Sequence, residues 1–302
     1  MRSWEIQRVK FWVVFANIVG LIIASIAAVI LFYTFVQATT IGIEGVTNTV
    51  WSLIFAISAF AIAANIAACS FIINFTKKSD DATFSNNRYI LVLFSLSSGG
   101  IFTPFILMRM PNVDVRTSIN PKIVVSKGYG IIALSSAIVG FATFTIFNAA
   151  TSNLSNLGSL EGTQSTALIT SMAIFGVFLF WGILNCALFI GKTVDETSTE
   201  VSGFRNFIAI INFVIATITL IWIIINSIST IISAISDTFN RRSGFLSTMF
   251  NSMLLGLRIA MQMFIIYTAW HCIKGIWSKK GEFEYGQYQR LSDKQAEYQG
   301  RF

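Results

Sequence analysis

The sequence predicts an all-α polytopic membrane protein. Three observations carry that prediction: uncharged apolar runs of bilayer-spanning length, a lopsided distribution of basic residues, and a chain that partly repeats itself. Over 302 residues the mean hydropathy is +0.70, 54% of residues are hydrophobic and 12% are charged, about half the charged share of a soluble domain. A water-soluble globular fold is thereby excluded.

No charge occurs across positions 11 to 36 or 49 to 75, and about 20 apolar residues let a helix cross the hydrocarbon. Further runs lie at 89–108, 128–150, 167–190, 206–235 and 249–276, the last interrupted by Arg258 and Lys274. Arg2, Arg8 and Lys10 before the first run, and Val36-Gln37-Ala38 at its end, imitate a secretory signal. The apolar core of a signal is only about 7–15 residues, so the first run is read as an uncleaved helix.

Charge chooses the topology, because Lys and Arg collect in short cytoplasmic loops. With the N-terminus inside and all seven runs spanning, 8 basic residues would lie inside and 11 outside. If 89–108 enters and leaves on one side, 17 lie inside and 2 outside, with Arg258 and Lys274 left in the last run. The expectation is six spanning helices in three hairpins, both termini cytoplasmic, and one re-entrant or interfacial segment at 89–108. Seven spans is the alternative. Within that segment Ser95-Leu96-Ser97-Ser98-Gly99-Gly100-Ile101-Phe102-Thr103-Pro104 gathers Gly and Pro, the poorest residues for a helix interior. Ser97, Ser98, Gly99, Gly100 and Pro104 are the candidate re-entrant loop, tolerated in a membrane only where protein or a wet cavity satisfies the backbone.

At an offset of 117 positions, Glu44 meets Glu161, Gly45 meets Gly162, Thr49 meets Thr166, Cys69 meets Cys186 and Arg88 meets Arg205, among 11 identities in the 45 positions from 44 to 88. Two copies of one hairpin are expected, running parallel, with a looser third copy at 206–276. The chain divides into a first hairpin with its basic loop and broken segment (1–127), a second hairpin (128–205), a third (206–277) and a cytoplasmic tail (278–302).

Small residues at fourfold spacing let membrane helices approach closely. Gly20, Ala24 and Ala28 on the first helix and Ala59, Ala63 and Ala67 on the second therefore predict a tight pair. Asn17, Asn65, Asn148, Asn185, Asn212 and Asn226 supply amides that join helices. The Ile-rich run at 206–235 has a surface for lipid or a partner.

Candidate sites are few. Asn251, Arg258 and Gln262 share one helical face, and an ionisable residue inside a span is a functional candidate unless it snorkels from an interface. Glu44 and Glu161 form a candidate outer acidic pair in loops without Lys or Arg. His271-Cys272 has no companion ligands, so no metal site and no cofactor are expected. Neither nucleotide-binding glycine motifs nor hydrolase motifs occur, so no catalytic residues are assigned and the chain is read as no enzyme. Abundant Ile, Phe and Asn with three Pro match polytopic proteins of AT-rich bacterial genomes, hence a bacterial plasma membrane.

The expected partners are the bilayer, including anionic lipid drawn to the basic loops, and other membrane or cytosolic subunits or further copies of this chain. Nucleic acid is excluded, since the basic residues form no aromatic-lined platform. The functional expectation is a non-catalytic scaffold or anchoring subunit of a membrane assembly. The alternative is a transporter or channel that uses the repeat interface, the broken segment and Arg258.

Overall fold

A computed structural model describes residues 3–40, 48–110, 120–150, 162–191, 203–240 and 245–277, and all of its regular structure among these is helical. In chain order the elements are α1 (Ser3–Thr40), α2 (Asn48–Lys78), α3 (Asp81–Asn86), α4 (Arg88–Ser97), α5 (Phe102–Leu107), α6 (Pro121–Ala150), α7 (Gly162–Phe189), α8 (Gly203–Asn240) and α9 (Phe245–Ile276). Six of them, α1, α2, α6, α7, α8 and α9, are long and apolar enough to cross a membrane.

These are the six runs expected to span, with helix continuing past the apolar core. α8 reaches 38 residues against the 30 of its run, about 57 Å at 1.5 Å per residue. α6 starts at Pro121, whose fixed φ and missing N–H suit a first helical position. Asn120 caps it, its Oδ1 accepting the Lys122 N–H at 3.0 Å. The seven-span alternative is not what the chain forms: 89–108 is no single helix but the short pair α4 and α5, separated at 98–101.

The long helices pack as antiparallel neighbours: α1 on α2, α2 on α6, α6 on α7, and α8 on α9. Small residues lie in these contacts. Ala24, Ala59, Ala63 and Ala67 are buried, and a Cβ on Gly20 would stand 3.0 Å from Cys69 Sγ. The tightest crossing joins α6 and α7, where a Cβ on Gly182 would fall 2.5 Å from the Leu134 backbone nitrogen.

The principal core forms around α4, which touches α2, α6, α8 and α9. Leu91, Val92 and Leu93 have no exposed surface, and with Phe84, Phe94, Leu107, Val125, Leu220 and Ala269 they fill one contiguous apolar cluster. The outward faces are equally apolar. Phe11, Ile22, Ile26, Val29, Phe32, Val177, Phe180, Ile218 and Trp222 are all exposed, an arrangement that water does not permit on this scale and lipid does. Ten of the eleven basic residues among the described ones lie at one end of the bundle, with Arg258 the exception. That end holds the first turns of α1, α4, α6 and α8 and the last turns of α2, α7 and α9, and is called the basic end below.

Candidate functional site

The broken segment sits at the centre of the bundle. α4 runs inward from the basic end for 10 residues, about 15 Å, and α5 returns toward the same end. Arg88 closes the base, its Nη1 donating to the Met110 carbonyl at 2.8 Å while the guanidinium lies 4.9 Å from the Tyr89 ring centroid. α9 covers the same level. Cys272 Sγ donates to the Tyr89 carbonyl at 3.1 Å, and a Cβ on Gly275 would collide with the Tyr89 ring.

The tip follows from local chemistry. Gly99 takes φ +80°, a conformation that costs other L-residues about 1–2 kcal/mol. The Gly99 N–H donates to the Leu96 carbonyl and the Gly100 N–H to the Ser95 carbonyl at 2.7 Å, the paired bonds that close a helix on a left-handed glycine. The Ser97 and Ser98 hydroxyls return to carbonyls of their own helix, Leu93 and Phe94.

Two asparagines anchor the hairpin from outside. Asn65 Nδ2 on α2 donates to the Ser98 carbonyl at 2.7 Å, and Asn17 Nδ2 on α1 donates to Thr103 Oγ1 at 2.9 Å. Asn65 stands 12 residues before Lys77, so the tip is about 18 Å above the basic end. Pro104 is buried, while Ser97 and Gly99 are exposed. Of the predicted loop residues, Ser98, Gly99 and Gly100 form the turn, Ser97 ends α4, and Pro104 lies in the first turn of α5.

A second polar knot ties α6, α7 and α8. Asn212 Nδ2 lies 2.9 Å from Ser126 Oγ and 2.6 Å from Asn185 Oδ1, and Asn212 Oδ1 accepts the Trp181 indole N–H at 3.2 Å. The amides at positions 17, 65, 185 and 212 therefore do join helices. Asn226, expected to be buried, is exposed, because α8 has left the core by that turn. Asn148 donates to Phe144 of its own helix.

Asn251, Arg258 and Gln262 lie within about 20° of the helical line through Ala269, a residue fully buried in the core. On α9 they precede Phe264, whose ring centroid lies 5.8 Å from that of Phe105 on α5. Arg258 is exposed, whereas Asn251 and Gln262 are half-buried. α9 continues 13 residues beyond Arg258 to Phe245, so Arg258 does not end its helix. Sixteen residues, about 24 Å, separate it from Lys274.

Among the described residues from position 221 onward only Ser227 and Ala234 of α8 are buried, and on α9 none before Thr268 is. The far halves of α8 and α9 therefore support chiefly each other. Glu44 and Glu161 lie outside the described residues, as do Arg241 and Arg242. His271 Nδ1 is bonded to the Tyr267 carbonyl at 2.9 Å and its ring rests on Tyr267. Among the described residues no three of His, Cys, Asp and Glu come together.

Comparison with known protein families, with curated proteins and with solved structures found no match.

Proposed function

We propose that this chain is a non-catalytic subunit of a membrane assembly, holding or anchoring partners through the far half of the α8–α9 hairpin. The observation that supports this reading is the division of the bundle into two regimes. Toward the basic end, α4 is packed on every side by apolar side chains with no exposed surface. Away from it, α8 and α9 present Ile, Leu and Met with few contacts beyond each other. Ser252, Gly256 and Ala260 are exposed at fourfold spacing on α9, and a Cβ on Gly256 would meet nothing within 4 Å, a surface on which a second helix can lie close.

In this reading both termini are cytoplasmic and the basic end faces the cytoplasm of a bacterial plasma membrane, since Lys and Arg are retained there. The α4–α5 pair is then a re-entrant hairpin whose backbone is satisfied by protein alone, as hydrocarbon requires. Parallel duplication of the first hairpin accounts for the offset of 117. Purification of the full chain in mild detergent tests the proposal. It should migrate as an oligomer or with specific partners, and Gly256→Phe should release them without unfolding the chain. A chain that remains monomeric and alone contradicts it.

A transport function is the second reading, favoured by one observation: Arg258 and Gln262 stand on α9 just before Phe264, whose ring packs on Phe105 of α5. Liposome flux that Arg258→Ala abolishes would support it. Absent or unchanged flux removes Arg258 from any mechanism.

A further inference from the structure

Beside the basic end, α1, the last turn of α2 and the start of α3 enclose an open recess of about 770 Å³. Its polar floor is partly spent. Lys10 Nζ sits 2.8 Å from Asp81 Oδ1 and 2.7 Å from the Ser79 carbonyl oxygen, so this cation and this anion satisfy each other.

Three polar groups in the wall are not spent in this way. Thr76 is 1% exposed, and its hydroxyl is buried without a hydrogen-bond partner. Helical threonines elsewhere in the chain, Thr143, Thr217, Thr219 and Thr268 among them, donate to the carbonyl four residues back. A buried hydroxyl with no partner is costly, and such groups mark a place where something else completes the bond. Lys77 and Asp80 are exposed on the same wall, and the Asp80 carboxylate does not cap the helix it precedes. Gln7 also lines the recess, its Nε2 donating to Asp81 Oδ1 at 3.0 Å, and the remaining wall is apolar. Phe11 and Val14 lead from the recess along α1, and Phe11 and Trp12 are exposed at this level, as interfacial aromatics are.

We propose that this recess binds the headgroup of an aminophospholipid of the ethanolamine class. The phosphate sits against the Lys77 ammonium and the Thr76 hydroxyl, the lipid ammonium against Asp80, and the acyl chains along Phe11 and Val14. Charge chooses the class. Once Lys10 and Asp81 have paired, one cation and one anion remain. A zwitterion with N–H donors satisfies both, a glycerol headgroup leaves Asp80 without a cation, and a choline headgroup offers it no donor.

The test is native mass spectrometry of the purified full chain, with synthetic phosphatidylethanolamine, phosphatidylglycerol and phosphatidylcholine of identical acyl chains. One ethanolamine lipid should be retained with an affinity about tenfold above either competitor, the scale of one charge-assisted hydrogen bond. Asp80→Asn should reduce that lipid to the level of the choline lipid. Lys77→Gln should weaken all three, Lys77→Arg should restore them, and Thr76→Val, which keeps the shape, should weaken all three several-fold. Equal retention of the three lipids by the wild-type chain overturns the proposal, as does preference for phosphatidylglycerol. An ethanolamine preference that survives in both Asp80→Asn and Lys77→Gln overturns the assigned site.

Discussion

Replacing Gly99 isolates the cost of turning the chain back inside the bundle. Gly99 holds φ +80°, and a Cβ placed on it meets nothing within 4 Å, so a substitution there changes backbone energy without a steric clash. Gly99→Ala should cost about 1–2 kcal/mol, a factor of about 5–30 in the folded-to-unfolded ratio. Gly99→Asn should cost less than Ala, since Asn tolerates the left-handed region, and Gly99→Val should cost more. Gly100→Ala is the contrasting neighbour: its Cβ would lie 2.6 Å from Ser95 Oγ and 3.3 Å from the Ser95 carbonyl oxygen, so its penalty is steric. The assay is reversible unfolding in mixed micelles, followed by tryptophan fluorescence. Ala and Asn variants equal to wild type within about 0.3 kcal/mol would refute the left-handed turn, because nothing else distinguishes those side chains at an open position.

Other substitutions test the remaining joints. Asn212→Leu breaks bonds to Ser126, Asn185 and Trp181 and should cost roughly 2–5 kcal/mol at about 0.6–1.7 kcal/mol per intramembrane bond, whereas exposed Asn226→Leu should stay within about 0.5 kcal/mol in the same unfolding assay. Gly182→Ala forces α6 from α7, because its Cβ would lie 2.5 Å from backbone. A loss of roughly 1–3 kcal/mol is expected, together with slower disulfide trapping of cysteines placed across α6 and α7. Lys10→Met removes the pair with Asp81 and should cost about 1 kcal/mol or less. That difference should shrink in roughly 1 M salt, where the screening length falls to about 3 Å.

The long helices were legible because an uncharged run of spanning length has few ways to satisfy its backbone other than helix. The break at 98–101 was legible for the complementary reason: Gly99 and Gly100 are poor helix residues, and Pro104 suits the first turn of a new helix, where it stands in α5. What composition could not convey was partnership. Asn17, Asn65, Asn185 and Asn212 read as adhesive amides, yet that Asn65 would hold the Ser98 carbonyl, or that Asn212 would gather Ser126 and Trp181, depends on which helices become neighbours. Arg88 was read as a basic loop residue and as a match to Arg205 in the repeat. Its clamp on Met110 became visible only once α4 and α5 were seen to fold back together. Asn226 failed the other way, since a polar residue in an apolar run looks buried until its helix is seen to leave the core. The recess at Thr76 had no signal at all, because a threonine near a helix end ordinarily bonds its own backbone.

The central claim is that the chain crosses the membrane six times while α4 and α5 enter and leave on one side. In a variant with Cys69, Cys186 and Cys272 replaced and a single cysteine at Val115, labelling of intact cells by a membrane-impermeant maleimide tests it most directly. The account predicts no labelling until the membrane is permeabilised, and full labelling afterwards. Labelling of Val115→Cys from outside intact cells would mean that the segment at 89–108 crosses, and would contradict the account.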